Sequence, residues 1–195
     1  AMVNPFDCLH PAIYSTFGGG HRNSIKPDLL YNGGRQLLYD KFVYEDSLYP
    51  AGFNRNPGLQ VAYPGSSINN TIFFRGTSGA AALVSRNAYY CYKELNEILD
   101  IYGKSDTHMH LLIKALAVHG CSWDIIGDNI ERYLSDGYDK KTIKRLWMGY
   151  GYPDFQKSLV CSPQRVTILG FSELKNEEAH QFILPLPPSL INVRM

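Results

Sequence analysis

Ser78, in the run Phe73-Phe74-Arg75-Gly76-Thr77-Ser78-Gly79-Ala80-Ala81-Ala82-Leu83-Val84, is the residue of this chain best set for chemistry. It opens an apolar helical pattern, so its hydroxyl is expected at the first turn of a helix. There it sits beside backbone N–H groups that have no intrahelical partner, at the positive end of the helix dipole. A developing oxyanion is stabilised in such a place. Gly76 lets the chain turn sharply and approach a substrate backbone, while Gly79, Ala80 and Ala81 keep the first turn slim. Gly76, Thr77 and Gly79 are therefore the expected supports of the helix N-terminus and of the oxyanion side. A serine hydroxyl is an ordinary alcohol at neutral pH, and nucleophilic attack needs a histidine to take its proton. The same residues would also suit the plain N-capped start of a buried helix, with Thr77 or Ser78 as the cap.

The elements that must position Ser78 are legible on both sides of it. From Thr77 onward, Ala81, Val84, Ala88, Cys91 or Tyr92, Leu95, Ile98 or Leu99 and Tyr102 recur at spacings of three and four. This predicts a long helix with one buried face, ended by Gly103. Asp106 or Thr107 can cap a second helix with Met109, Leu112, Ile113, Leu116 and Ala117 as its apolar face and Gly120 as its stop. Ahead of the serine, Pro57-Gly58 marks a turn, Leu59-Gln60-Val61-Ala62-Tyr63 reads as a short strand closed by Pro64-Gly65, and Ile72-Phe73-Phe74 reads as another. The span from Asp124 to Tyr150 predicts one or two short helices, with Ile125, Ile126, Ile130, Tyr133 and Leu134 buried. Gln164 to Gly170 and His180 to Leu184 have strand composition and flank the polar turn Lys175-Asn176-Glu177-Glu178, which predicts an antiparallel pair. Pro185, Pro187 and Pro188 then break any ladder.

Composition narrows the class. The chain has 195 residues and a formal net charge of +1, so neither a polyanion nor an anionic membrane is implied as a partner. No run approaches the roughly 20 apolar residues of a membrane span. Asp139 to Arg145 is basic and helical and superficially suits nucleic-acid binding. With no other clustered cations, a solvated helix face is the expected reading. Cys8, Cys91, Cys121 and Cys161 are scattered without metal-ligand spacing, which fits reduced thiols in a cytoplasmic protein. His108 and His110 lie two apart and point to different helix faces, and His119 is expected at a helix C-terminus. No metal and no cofactor are expected.

Several segments in order resemble the subtilisin-like serine peptidases, the subtilases. Gly76-Thr77-Ser78-Gly79 resembles the family's nucleophile motif. Ala12 to Gly18 resembles a segment before its later strands, and Ile25-Lys26-Pro27-Asp28-Leu29-Leu30 with Gly33-Gly34 resembles its Lys-Pro-Asp segment. Pro64-Gly65 resembles its Pro-Gly turn, Ile113 to His119 its next helix, and Gly149-Tyr150-Gly151-Tyr152-Pro153 the turn before its last helix. Ala82 stands where the family commonly has Pro, an early helix position that tolerates either. The last two strands with Leu184-Pro185-Leu186-Pro187 resemble the start of a β module appended to some bacterial intracellular subtilases.

The resemblance implies an α/β fold: a partial subtilisin-like three-layer parallel sheet with helices, followed by a short antiparallel β segment. It divides the chain into residues 1–161, the C-terminal part of the peptidase domain, and 162–195, the appended module or linker. It makes Ser78 the nucleophile of a peptide-bond hydrolase. The family's Asp and His precede its Ser, yet no Asp-Thr-Gly, Asp-Ser-Gly or His-Gly-Thr segment occurs in the sequence, and its oxyanion Asn has no counterpart. In subtilisin itself, where the measurement was made, losing Ser or His alone costs about two million-fold in kcat. The chain alone is therefore expected to be inactive, with a peptide or protein substrate once an upstream half completes it. An uncovered sheet edge would favour self-association. A different expectation is a non-catalytic protein-binding module that keeps the fold remnant, in which Ser78 is a helix cap.

Overall fold

A computed structural model describes residues 2–3, 10–40, 48–51, 57–101, 108–134, 137–162, 165–170 and 172–184. They form two compact units that interleave along the chain, residues 1–87 with 121–153 and residues 88–120 with 154–195. The expected Gly103 stop and the Asp106 or Thr107 cap lie outside the described residues.

In the first unit, three strands, β1 (Met2–Val3), β2 (Leu38–Asp40) and β3 (Leu48–Pro50), pair antiparallel in the order β1-β2-β3. A hairpin of β4 (Leu59–Ala62) and β5 (Thr71–Phe74) follows, with Leu59 opposite Phe74 and Ala62 opposite Thr71. Both strands stand where the sequence places them, and Pro64-Gly65 falls in their connection. Helix α1 (Thr77–Ile101) starts three residues after β5, and its residues 77–87 belong to this unit.

Two short strands, β6 (Cys121–Ser122) and β7 (Tyr152–Pro153), pair antiparallel and bracket the helices α3 (Asp124–Leu134) and α4 (Lys140–Met148). The two helices pack through Ile130, Ile143 and Met148, which are almost fully buried, with Leu30, Trp123, Ile126 and Trp147 around them. Gly127 lets the Lys144 stem come close, since a β-carbon there would lie 3.3 Å from its Cδ. Asp139 caps α4 by accepting from the N–H groups of Lys141 and Thr142 at 3.1 and 3.0 Å. Lys140 and Lys144, from the basic stretch, both pair with Glu131, and Lys144 also reaches Asp128 at 3.4 Å.

Residues 88–101 of α1, with α2 (Met109–His119) and α5 (Phe155–Leu159), build the second unit. Its core is Leu95, Leu99, Met109, Leu112 and Leu116, the residues that recur at helical spacing in the sequence. Ser158 is fully buried in this unit, and its hydroxyl donates to the Leu116 carbonyl at 2.7 Å. Gly120 ends α2 as expected, its N–H bonded to Leu116 O.

Two expectations need correction. Ile125, Tyr133 and Leu134 are exposed, because α3 is covered on the side of Gly127 and Ile130 while these three point away from α4 or lie at its free end. Of the alternatives Ile98 and Leu99 in α1, Leu99 takes the buried place and Ile98 is 43 % exposed. Residues 165–170 and 172–184 form no ladder: an isolated bridge joins Ser162 to Arg165, Ser172 and His180 bond across the Lys175-Asn176-Glu177-Glu178 turn, and the Phe182 ring lies against Gly170. The α/β class stands: the chain is mixed helix and strand, with short antiparallel strand pairs among the described residues. Parallel pairing needs a crossover of a dozen or more residues between strands, whereas residues 63–70 alone join β4 to β5.

Candidate active site at the strand-to-helix corner

The corner between β5 and α1 is built from backbone. Gly76 has φ of +149°, a conformation side-chain-bearing residues rarely adopt, and it turns the chain from strand to helix within one residue. Its carbonyl accepts from the N–H groups of Gly79 and Ala80 at 3.1 and 3.4 Å. The N–H groups of Thr77 and Ser78 thus precede the first closed turn of α1, where a helix presents unsatisfied donors. Ser78 is the second helical residue, and the cap position falls on Gly76, which has no side chain to cap with. The expected cap role of Thr77 or Ser78 is therefore not what the geometry provides.

Ser78 and Thr77 are exposed, whereas Gly76 and Gly79 are half-buried. A β-carbon at Gly79 would stand 2.6 Å from Leu59 Cδ1, so its missing side chain lets α1 rest on the hairpin. Among the described residues, the Ser78 hydroxyl meets no hydrogen-bond partner. The four residues named from the sequence are thus brought together as a corner with a free hydroxyl.

Residues distant in sequence support this corner. The Gly76 N–H donates to Gly33 O at 2.8 Å. A β-carbon on Gly33 would lie 2.8 Å from Gly76 O, and one on Gly34 would lie 2.7 Å from Phe74 O. The Gly33-Gly34 pair, part of the Lys-Pro-Asp segment, is therefore a backbone pad under the corner. That segment also meets the Gly149-Tyr150-Gly151 turn: Tyr150 N donates to Asp28 O and Leu30 N to Gly151 O, both at 2.9 Å. Gly149 at φ +61° would put a β-carbon into Pro27 O, so two motifs 120 residues apart in the chain share one backbone seam.

Beside the corner lies an open cavity of about 840 Å³. Thr77, Ala80, Ala81 and Val84 of α1 form one wall. The lining also includes aromatic rings in two stacks, Phe17 on Trp147 at 5.0 Å and Tyr31 on Tyr152 at 5.2 Å. Burial pushes the Tyr152 phenol above its ordinary range. It also raises that of Tyr14, with the Arg75 guanidinium pulling the other way. These aromatics come from separate segments without periodicity, and a cavity wall of that kind leaves no signal in the sequence. Among the described residues, no group of three His, Cys, Asp or Glu side chains could hold a metal ion.

A nucleophile motif on a glycine corner, a hairpin before it and a long helix after it define the class. The model of the Subtilase family matches residues 9–145, and the chain belongs to that family. At family level this makes it a serine peptidase, a hydrolase of peptide bonds. No curated protein and no solved structure matches the chain. Among the described residues, no helix is long and apolar enough to cross a membrane.

Proposed function

We propose that the chain is the nucleophile-bearing, C-terminal part of a subtilisin-like serine endopeptidase of the bacterial intracellular type, acting in the cytoplasm. Ser78 attacks the scissile carbonyl, and the Gly76-Thr77-Ser78-Gly79 corner contributes N–H groups to its oxyanion. The observation that carries this reading is the exposed Ser78 hydroxyl, without a partner among the described residues, at the unclosed first turn of α1. Asp, His and the oxyanion Asn come from an upstream segment or another chain. The cavity walled by α1 and the two ring stacks is where the completing half seats, and residues 162–195 begin an appended module.

The test is labelling by a fluorophosphonate probe and hydrolysis of an unstructured protein substrate. The isolated chain is expected to label weakly and to hydrolyse nothing, while the protein with its upstream half does both and loses both on Ser78→Ala. Strong labelling of Ser78 in the isolated chain, or hydrolysis that survives Ser78→Ala, would sink the proposal. Ser78 is not the cap residue, so Ser78→Ala is expected to change stability by less than about 0.5 kcal/mol, against the roughly 1 kcal/mol that loss of a cap costs.

A further inference from the structure

Arg75, immediately before the glycine corner, is 4 % exposed and is the one buried charged side chain among the described residues. Burying a guanidinium is costly, and apolar side chains of similar volume often replace buried charges without loss of stability. A charge kept there points to placement of something rather than to filling. Gly76, the next residue, has no side chain and a glycine's wide backbone freedom, so it cannot hold Ser78 in place by itself. The corner has to be held from either side.

On one side, the Gly76 N–H bonds to Gly33 O at 2.8 Å. On the other, Arg75 Nη2 donates to Ala51 O at 3.3 Å. Ala51 is a junction: it is buried, its N–H donates to Leu37 O at 2.9 Å, and its carbonyl also accepts from Gln36 Nε2 at 2.9 Å. The Arg75 stem meanwhile lies against Gly34, within 3.3 Å of where a β-carbon would be. Head and stem of one side chain thus engage the Ala51 carbonyl and the Gly34 backbone, Ala51 in turn ties to Gln36 and Leu37, and the same charge reaches Tyr14 on the cavity wall.

We propose that Arg75 is a positioning residue for Ser78, fixing the freely jointed Gly76 corner to the 34–37 and Ala51 backbone so that the hydroxyl is presented in one place. The proposal rests on the reading of Ser78 as the nucleophile. Its test is amide hydrogen exchange of the full chain by NMR, comparing Gly76, Gly79 and Ala80 with Ile143 in α4 and Gly120 after α2. Arg75→Met is expected to speed exchange at the three corner amides about tenfold and to leave Ile143 and Gly120 unchanged. Arg75→Lys, which keeps a charged donor of similar reach, is expected to restore protection to within about threefold of the wild type. Equal exchange in the Met and Lys variants, or acceleration shared by Ile143 and Gly120, would overturn it, since side-chain volume or global stability would then explain the burial. If the Met variant does not fold, Arg75→Lys against Arg75→Gln, too short to reach Ala51, makes the same comparison. Survival of hydrolysis in Ser78→Ala removes the nucleophile reading and leaves the exchange ranking untouched, so the two failures are distinct.

Discussion

Replacing Gly33 by Ala probes the backbone pad directly. The added methyl would lie 2.8 Å from Gly76 O and 3.4 Å from the Gly76 carbonyl carbon, both backbone atoms that no rotamer change can move aside. A carbon–oxygen contact relaxes near 3.3 Å, so the two strands of chain must part by about half an ångström. Overpacking of this kind costs about 1–3 kcal/mol, and weakening the Gly76 N–H bond to Gly33 adds up to about 1 kcal/mol. Reduced freedom of the unfolded chain returns about 0.4–1 kcal/mol, leaving a net loss of about 2 kcal/mol. Gly34→Ala meets Phe74 O at 2.7 Å and also has φ of +87°, which adds about 1–2 kcal/mol of backbone strain for a loss of about 3 kcal/mol. Gly137 is the control: at φ +76° with nothing within 4 Å, Ala there costs strain alone, about 1 kcal/mol. Both tryptophans, Trp123 and Trp147, lie in the same unit as these glycines, so urea melts followed by tryptophan fluorescence report on that unit. Should Gly33→Ala prove no worse than Gly137→Ala, the close approach under the corner is not there and the reasoning fails.

Three further outcomes can be checked. Burial pushes the Cys121 thiol up to about 11 and also raises Cys91, while Cys161 is exposed, so at pH 8 native protein should be alkylated at Cys161 well before the other two; mass-spectrometric mapping that finds Cys121 reacting as fast as Cys161 would refute this. Hydrogen bonds from Lys140 and Lys144 hold Glu131 below its ordinary value, and bonds from Thr142 do the same for Asp139. Their stabilisation is therefore complete above the ordinary carboxylate values of 4.5 and 3.8 and is lost as pH falls through the lower folded values; fluorescence melts from pH 7 to 3 should show this acid slope flattened in Glu131→Gln, and an unchanged slope would contradict it. The outer strand β3 exposes Leu48 and Tyr49, 45 % and 38 % accessible, so the chain is expected to self-associate through this edge, and a monomeric mass by light scattering at every concentration would count against it.

What the sequence disclosed depended on how local each signal was. Leu95, Leu99, Met109, Leu112 and Leu116 were legible because a helix with one covered face repeats its apolar residues every three or four positions. The same rule placed Ile130 inside and misplaced Ile125 and Tyr133, since α3 is amphipathic enough to suggest a wider buried stripe than its contact with α4 covers. Strand composition at 164–170 and 180–184 predicts a ladder, but composition does not say whether backbone groups meet, and here it is the Phe182 ring against Gly170 that brings the two segments together. At the corner, Gly76 to Gly79 stood out because they are contiguous. Gly33 and Ala51, which meet Gly76 N–H and the Arg75 guanidinium, come from separate stretches, and those contacts exist in the folded chain alone.

The interleaving of the two units carries a consequence for synthesis. Residues 88–120 are made before 121–153, yet their unit also contains 154–195, including the α5 hydroxyl of Ser158 that reaches the Leu116 carbonyl. As the chain emerges from the ribosome, everything the first unit needs is present by residue 153, while the apolar face of α2 still waits for Phe155–Leu159. The unit that starts later along the chain is the one finished last, and a stall just after residue 153 leaves the side of α2 that meets α5 uncovered in a nascent chain whose other unit is already complete in sequence.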